Sequence, residues 1–251
     1  MLIFSVNSPL ISAIPQTDRE KILKFINELT LKFKNIKSVY WLSNTWKADI
    51  VTGEFELLFW NKTIREKLLD FEFEINPKSF FQTNSLWAEV LYQQVLDLIS
   101  SPDSKWTALD LYAWTWTIWI ILSKLFKKVY SVELVKEASA DWERNAKFNK
   151  ISNIEFVNKK VEDFLNDTET GLDVDLLVID PPRDWMHPDA LPNILKFKAK
   201  EIIYVSCNPS TLARDLDFIV KNSEYKISDV IPMDMFPHTH HIETIVKLEL
   251  K

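Results

Sequence analysis

Beyond residue 107 the chain alternates short apolar runs with segments of helical spacing, and this alternation constrains the fold more than any other feature. Runs of strand length occupy 108–113, 128–133, 154–158, 174–180 and 201–207. Helical patterns cover 117–126, 136–149, 190–197 and 210–221, and another is expected over 85–100. Strands that are apolar on both faces and separated by helices form a parallel sheet covered on both sides. Two more strands are expected at 227–235 and 242–250. Ligands bind such sheets in the crevice at the carboxyl ends of the strands. Asp110, Glu133, Asp180 and Cys207 all stand at or near those ends.

Residues 1–74 read differently. A helix is expected over 17–34, with Ile22, Leu23, Phe25, Ile26, Leu29 and Leu31 apolar. Strands are expected at 38–42, 49–52, 54–59 and 71–75. The organisation is thus a small α+β subdomain, 1–74, followed by an α/β domain, 75–251. The 251 residues are 47% hydrophobic and 26% charged, which excludes wholesale disorder. The net charge of −6 argues against a generally basic nucleic-acid coat and leaves room for a local basic patch.

Cys207 is the only cysteine, so the chain has no intrachain disulfide and no cysteine-based metal cluster. A reducing compartment follows. The longest apolar stretch, 111–122, falls short of the ~20 residues a spanning helix needs. Residues 1–6 have no basic region before them, which speaks against a signal peptide. A cytoplasmic monomer with no membrane partner is the expectation.

One count is abnormal. Glycine occurs only at Gly53 and Gly171, where ordinary usage of ~7% gives about 18. Tryptophan occurs ten times, often where a turn or cap glycine would stand. In the run 109–119, Trp114, Trp116 and Trp119 have the G-x-G-x-x-G spacing with an indole at every glycine place. Glu133 ends the next strand 19 residues after Trp114. That matches the ~20-residue spacing of an acid that binds a ribose hydroxyl, and points to an adenosine-containing cofactor. A hydrophobic helix start packed on the sheet would explain the run equally well.

Three further motifs carry chemistry. In Asp180-Pro181-Pro182-Arg183 an apolar strand delivers a carboxylate to a stiff turn that can hold a planar base. This favours nucleic-acid methyl transfer without choosing between base nitrogen and base carbon. In Ser206-Cys207-Asn208-Pro209 the cysteine leaves an apolar strand just before a helix start, where the dipole favours a thiolate. A nucleophile is expected, given a base nearby. In 234–244, His238, His240 and His241 suggest metal, but no cysteine or clear carboxylate partner completes a site, so metal is the minority reading. Glu243 opens the final strand and is a candidate general base.

Taken in order, Phe80-Phe81-Gln82-Thr83-Asn84, the 109–119 loop, Asp180–Arg183, Ser206–Asp215 and 234–243 resemble RNA uracil-C5 methyltransferases, which make 5-methyluridine in transfer or ribosomal RNA. The resemblance covers about 75–251, and more loosely what precedes it. It implies a Rossmann-like class I methyltransferase domain, S-adenosyl-L-methionine as cofactor, and tRNA or rRNA as partner. It implies Cys207 as the nucleophile at uracil C6 and Glu243 as the base that removes the C5 proton. Gln82, Tyr112, Glu133 and Asp180 match positions lining the cofactor site, with Glu133 at the ribose. The target base is expected to flip out of its stack.

The chain departs from the family pattern at 114, 116, 119, 142 and 185, where glycine is expected and tryptophan stands. An indole fills the volume that lets a cofactor approach the backbone, so cofactor binding is expected to suffer if the loop keeps the family shape. The placement reads as systematic glycine-to-tryptophan replacement in a parent enzyme. Two alternatives remain at this level. One is a catalytically dead RNA-binding or folding module. The other is an amino-group nucleic-acid methyltransferase using Asp180–Arg183 and leaving Cys207 and Glu243 idle.

Overall fold

The computed structural model describes residues 1–6, 12, 14–44, 53–79, 81–100, 105–113, 117–134, 136–167, 172–182, 186 and 190–251, with 136–140 as backbone only. In chain order the elements begin with β1 (Leu2–Val6), α1 (Gln16–Lys32), β2 (Ser38–Ser43), β3 (Glu54–Trp60), β4 (Ile64–Leu68) and β5 (Phe71–Ile75). They continue with α2 (Ser85–Leu98), β6 (Thr107–Leu111), α3 (Thr117–Leu122), β7 (Lys128–Glu133), α4 (Lys136–Phe148) and β8 (Ile154–Asn158). The last are α5 (Val161–Asp167), β9 (Leu176–Ile179), α6 (Ala190–Leu195), β10 (Glu201–Ser206), α7 (Pro209–Asn222), β11 (Tyr225–Met233) and β12 (Glu243–Leu250). Among the described residues no helix is long and apolar enough to cross a membrane.

Two compact units are present: Met1–Lys67 with Glu72–Phe80, and Leu68–Phe71 with Phe81–Lys251. In the first, β1 runs parallel to β2, and β3 pairs with β2 antiparallel. Every residue of β2 is buried. Just before β3, Gly53 holds φ +145, and a Cβ there would lie 2.0 Å from the Ser43 carbonyl oxygen. Glycine is therefore obligatory at that turn. The strand expected over 49–52 lies outside the described residues. β4 and β5 pair as a two-stranded ribbon.

The second unit is built on a seven-stranded sheet in the order β11-β12-β10-β9-β6-β7-β8. β8, β7, β6, β9 and β10 are mutually parallel, and β12 enters antiparallel between β10 and β11. The apolar strands β9 (Leu-Leu-Val-Ile) and β10 are buried along their whole length, as a two-face-covered parallel sheet requires. One core cluster joins Leu109, Leu111, Leu177, Ile179, Ile202, Tyr204, Val246 and Leu248 of the strands to Val161, Phe164, Leu191, Ile194, Leu212 and Ile219 of α5, α6 and α7. Strand alternation turns the intervening residues, Asp110, Val178, Val205 and Ile245, to the opposite face.

Candidate active site

The strand order reverses at β6, whose successor β7 lies on one side and β9 on the other. A switch point of this kind opens a crevice at the carboxyl rim. Register places the candidate residues along that rim. Leu111 pairs with both Val132 and Ile179, so Tyr112, Glu133 and Asp180 stand level one step further on. The Asp180 N–H donates to the Leu111 carbonyl at 3.3 Å, holding the acid against the end of β6.

On the other side of β9, Ser206 pairs with Thr244 across β10 and β12. Cys207 follows the last paired residue of β10, and Glu243 precedes the matching residue of β12, so the two stand opposite each other. Both are half-buried. Glu243 is also paired with Met233 of β11. By alternation Asp110, Glu133, Asp180, Cys207 and Glu243 all belong to the face opposite the α5–α7 core.

The segment around Cys207 is locked by short-range bonds. Ser206 Oγ accepts from the Asn208 N–H at 3.1 Å. Asn208 caps α7, its Oδ1 accepting from the Ser210 N–H at 3.1 Å, and Thr211 Oγ1 donates to the Asn208 carbonyl at 3.1 Å. Behind this turn, Tyr204 donates to Asp215 at 2.8 Å, and Arg214 donates twice to the same carboxylate at 2.9 and 2.7 Å. Asp215 is 0% exposed, so this cluster fastens α7 to β10 directly under the thiol. Sequence reasoning included Arg214 and Asp215 in a motif but did not foresee the brace.

Asp110 is fully buried, and neither carboxylate oxygen has a hydrogen-bond partner. Burial, and then the neighbouring charges of Asp180 and Glu133, raise its pKa well above the carboxylate range. An orphaned acid beneath the rim, with Glu133 at the end of β7, fits a polar ligand bound over β6 and β7.

Tyr112 reaches the rim by its backbone alone. Its φ of +62 breaks the strand alternation and turns the ring to the helical side, where its hydroxyl donates to Glu162 of α5 at 3.1 Å. Burial, and then Glu162, push the phenol pKa strongly upward. Only the backbone of Tyr112 stays at the rim.

Gln82 lies in the turn before α2, half-exposed. Two residues on, Asn84 donates to the Met235 carbonyl at 2.9 Å, which joins this turn to the segment leading to Glu243. Among the described residues no three His, Cys, Asp or Glu side chains are grouped to hold a metal ion. The rings of His240 and His241 lie 4.1 Å apart, and His238 is exposed with φ +73.

The tryptophans divide. Trp114, Trp116 and Trp185 lie outside the described residues. Trp119 does not project over the rim: its ring is 0% exposed and meets Phe156, in the middle of β8, edge-on at 4.8 Å. Trp142 stacks on the same phenylalanine at 5.2 Å.

Five parallel strands with a reversed strand beside the last, and acids at the switch point, define a Rossmann-like class I methyltransferase fold. The chain belongs to the tRNA (uracil-5-)-methyltransferase family, which residues 54–251 match. An uncharacterized RNA methyltransferase of Oceanobacillus iheyensis is 38% identical over 242 residues, covering 96% of this chain and 51% of the relative. One from Clostridium tetani is 41% identical over 218 residues, covering 86% and 47%. Among solved structures, the Pyrococcus abyssi tRNA (uracil-54, C5)-methyltransferase in complex with S-adenosyl-L-homocysteine is 33% identical with a TM-score of 0.72, covering 87% of this chain and 52% of that one. The M. jannaschii tRNA m1G37 methyltransferase shares the fold at 16% identity and a TM-score of 0.64, over 92% of this chain and 68% of its own. The chain spans about half the length of the curated relatives it matches.

Proposed function

We propose that the chain methylates C5 of a uridine in RNA, with tRNA as the substrate class. The observation that carries this reading is the pairing of Cys207 and Glu243 on one rim, each one step beyond the Ser206–Thr244 pair. Family membership and the Pyrococcus abyssi relative support tRNA.

Uracil C5 is a poor nucleophile. The Cys207 thiolate adds to C6 and makes an enolate, so that C5 becomes electron-rich. S-adenosylmethionine, when bound, supplies the electrophilic methyl group. Glu243 then takes the C5 proton, and the electron pair left behind expels the thiolate from C6. Glu133 holds the ribose hydroxyls, and Gln82, Asp180 and the backbone at Tyr112 line the cofactor crevice. Asp110 supplies a buried carboxyl group beneath it. The flipped uracil enters between Asp180 and the Cys207–Glu243 pair.

The test is incubation with S-adenosylmethionine and tRNA containing 5-fluorouridine, whose C5 carries fluorine in place of the proton that must leave. A covalent protein–RNA band that vanishes in Cys207→Ala is expected. On ordinary tRNA, Glu243→Gln is expected to accumulate the methylated adduct, because proton removal alone is blocked. Methyl transfer that survives Cys207→Ala and lands on an exocyclic amine would favour the amino-group reading. Binding of tRNA without an adduct would favour an inactive RNA-binding module, a reading prompted by Trp114 and Trp116.

A further inference from the structure

Six tryptophans fall among the described residues: Trp41, Trp60, Trp87, Trp106, Trp119 and Trp142. Four of them occupy places that do not suit an indole. Trp60 holds φ +56, the left-handed region that glycine enters freely and L residues enter at a cost. The residue is 60% exposed, its ring stacked on the neighbouring Phe59 with Lys37 above it, so burial offsets little of that cost. Trp41, Trp119 and Trp142 are each 0% exposed, and none of their indole N–H groups meets an acceptor. A buried tryptophan ordinarily finds one.

Trp119 and Trp142 also crowd onto one ring, Phe156. Position 119 is the third place of the G-x-G-x-x-G spacing, where glycine permits close packing of helix on strand. Sporadic substitution would replace glycine by many residue types. Here a single type recurs, and only Gly53 and Gly171 remain as glycine. One replacement at many glycine-type places is the signature of a codon's reading rather than of selection at each place. Cellular codes differ over UGA, which is read as stop in most, as tryptophan in some and as glycine in others.

We propose that the tryptophan positions 41, 46, 60, 87, 106, 114, 116, 119, 142 and 185 are UGA codons in a gene whose own cell reads UGA as glycine. The native protein therefore carries glycine at all ten. Lysine outnumbers arginine 25 to 5, the mark of a gene that favours A-rich codons. In such a gene UGA displaces the GG-initial glycine codons, and glycines written in the GG-initial form become rare. In the native chain positions 114, 116 and 119 carry no Cβ, as the close approach of a nucleotide-type cofactor requires. That last consequence rests on the proposed methyltransferase reading; the codon assignment does not.

The first measurement is the gene sequence together with peptide masses of the protein purified from its own cells. UGA at all ten positions is expected, with peptides spanning 60, 119 and 142 lighter by the difference between a tryptophan and a glycine residue. UGG codons or tryptophan masses at these positions overturn the assignment. The second compares the tryptophan-bearing chain with one carrying all ten Trp→Gly changes, by thermal unfolding and by titration with S-adenosylmethionine. The glycine chain is expected to bind the cofactor roughly ten-fold more tightly or better. Glycine masses together with a glycine chain that folds but ignores cofactor would sustain the codon assignment and reject the methyltransferase reading. Tryptophan masses together with cofactor binding by the tryptophan-bearing chain would do the reverse.

Discussion

At position 110 a carboxyl group stands fully buried between β7 and β9 without a hydrogen-bond partner. Its folded-state pKa is raised, first by burial and then by Asp180 and Glu133. Between the unfolded value of ~3.9 and the raised folded value, the native state holds the extra proton, so this group makes stability fall as pH rises through that window. Asp110→Asn is expected to flatten that slope, read by denaturant unfolding at several pH values. The left-handed Trp60 gives a second test. Trp60→Gly is expected to stabilise the chain by about 1 kcal/mol, seen as a higher unfolding midpoint. That Cys207 and Glu243 stand on one rim was legible because each sits at the junction of an apolar strand and a polar turn, inside a specific motif. The isolation of Asp110 was not, because the strands that bury it are distant in sequence. Nor was the reversed ring of Tyr112, because nothing in Leu-Tyr-Ala announces a positive φ.

The elements that were readable are those that bury an apolar pattern. β7, β8 and β5 fall where expected to the residue, and α2, α4 and α7 within two. Those that escaped are short or polar. β4, Ile-Arg-Glu-Lys-Leu, is three-fifths charged and is a strand because β5 pairs with it. α5 has seven residues, less than two turns, too few for a period to show. β1 becomes a strand by parallel pairing with β2 across the α1 crossover, a contact that no local pattern reveals. The β10–α7 junction, by contrast, can be tested locally. Asn208→Ala is expected to cost about 1 kcal/mol through loss of the N-cap. Tyr204→Phe is expected to cost about 1–2 kcal/mol, since it removes one of the donors to the buried Asp215. Both are measurable as shifts in thermal midpoint. Both should also slow formation of the Cys207 adduct, because the turn that aims the thiol loosens.

At the scale of the molecule, the alternation of strands and helices was enough to fix a parallel sheet, but not the direction of β12, since an apolar run is the same read either way. At the rim opposite Cys207 and Glu243, Lys247 of β12 stabilises that reversed pairing. Its ammonium donates to Ser100 Oγ at 2.5 Å and lies 3.4 Å from Glu201 and 2.6 Å from Glu249. Lys247 and Glu201 are each only 5% exposed. Lys247→Met is expected to destabilise by about 3 kcal/mol, measured by denaturant unfolding, because the Glu201 carboxylate stays buried without its cation.

The antiparallel insertion of β12 also settles how Cys207 and Glu243 come to stand opposite each other. The sulfur is delivered by a chain leaving its strand, the carboxylate by a chain entering one. Were β12 turned around, the two would be separated by the full length of the sheet. Lengthening or rebuilding the connection between β11 and β12 leaves their spacing untouched, because backbone ladders on both sides of β12 set it. The connection itself can therefore be exchanged for another without moving Cys207 relative to Glu243.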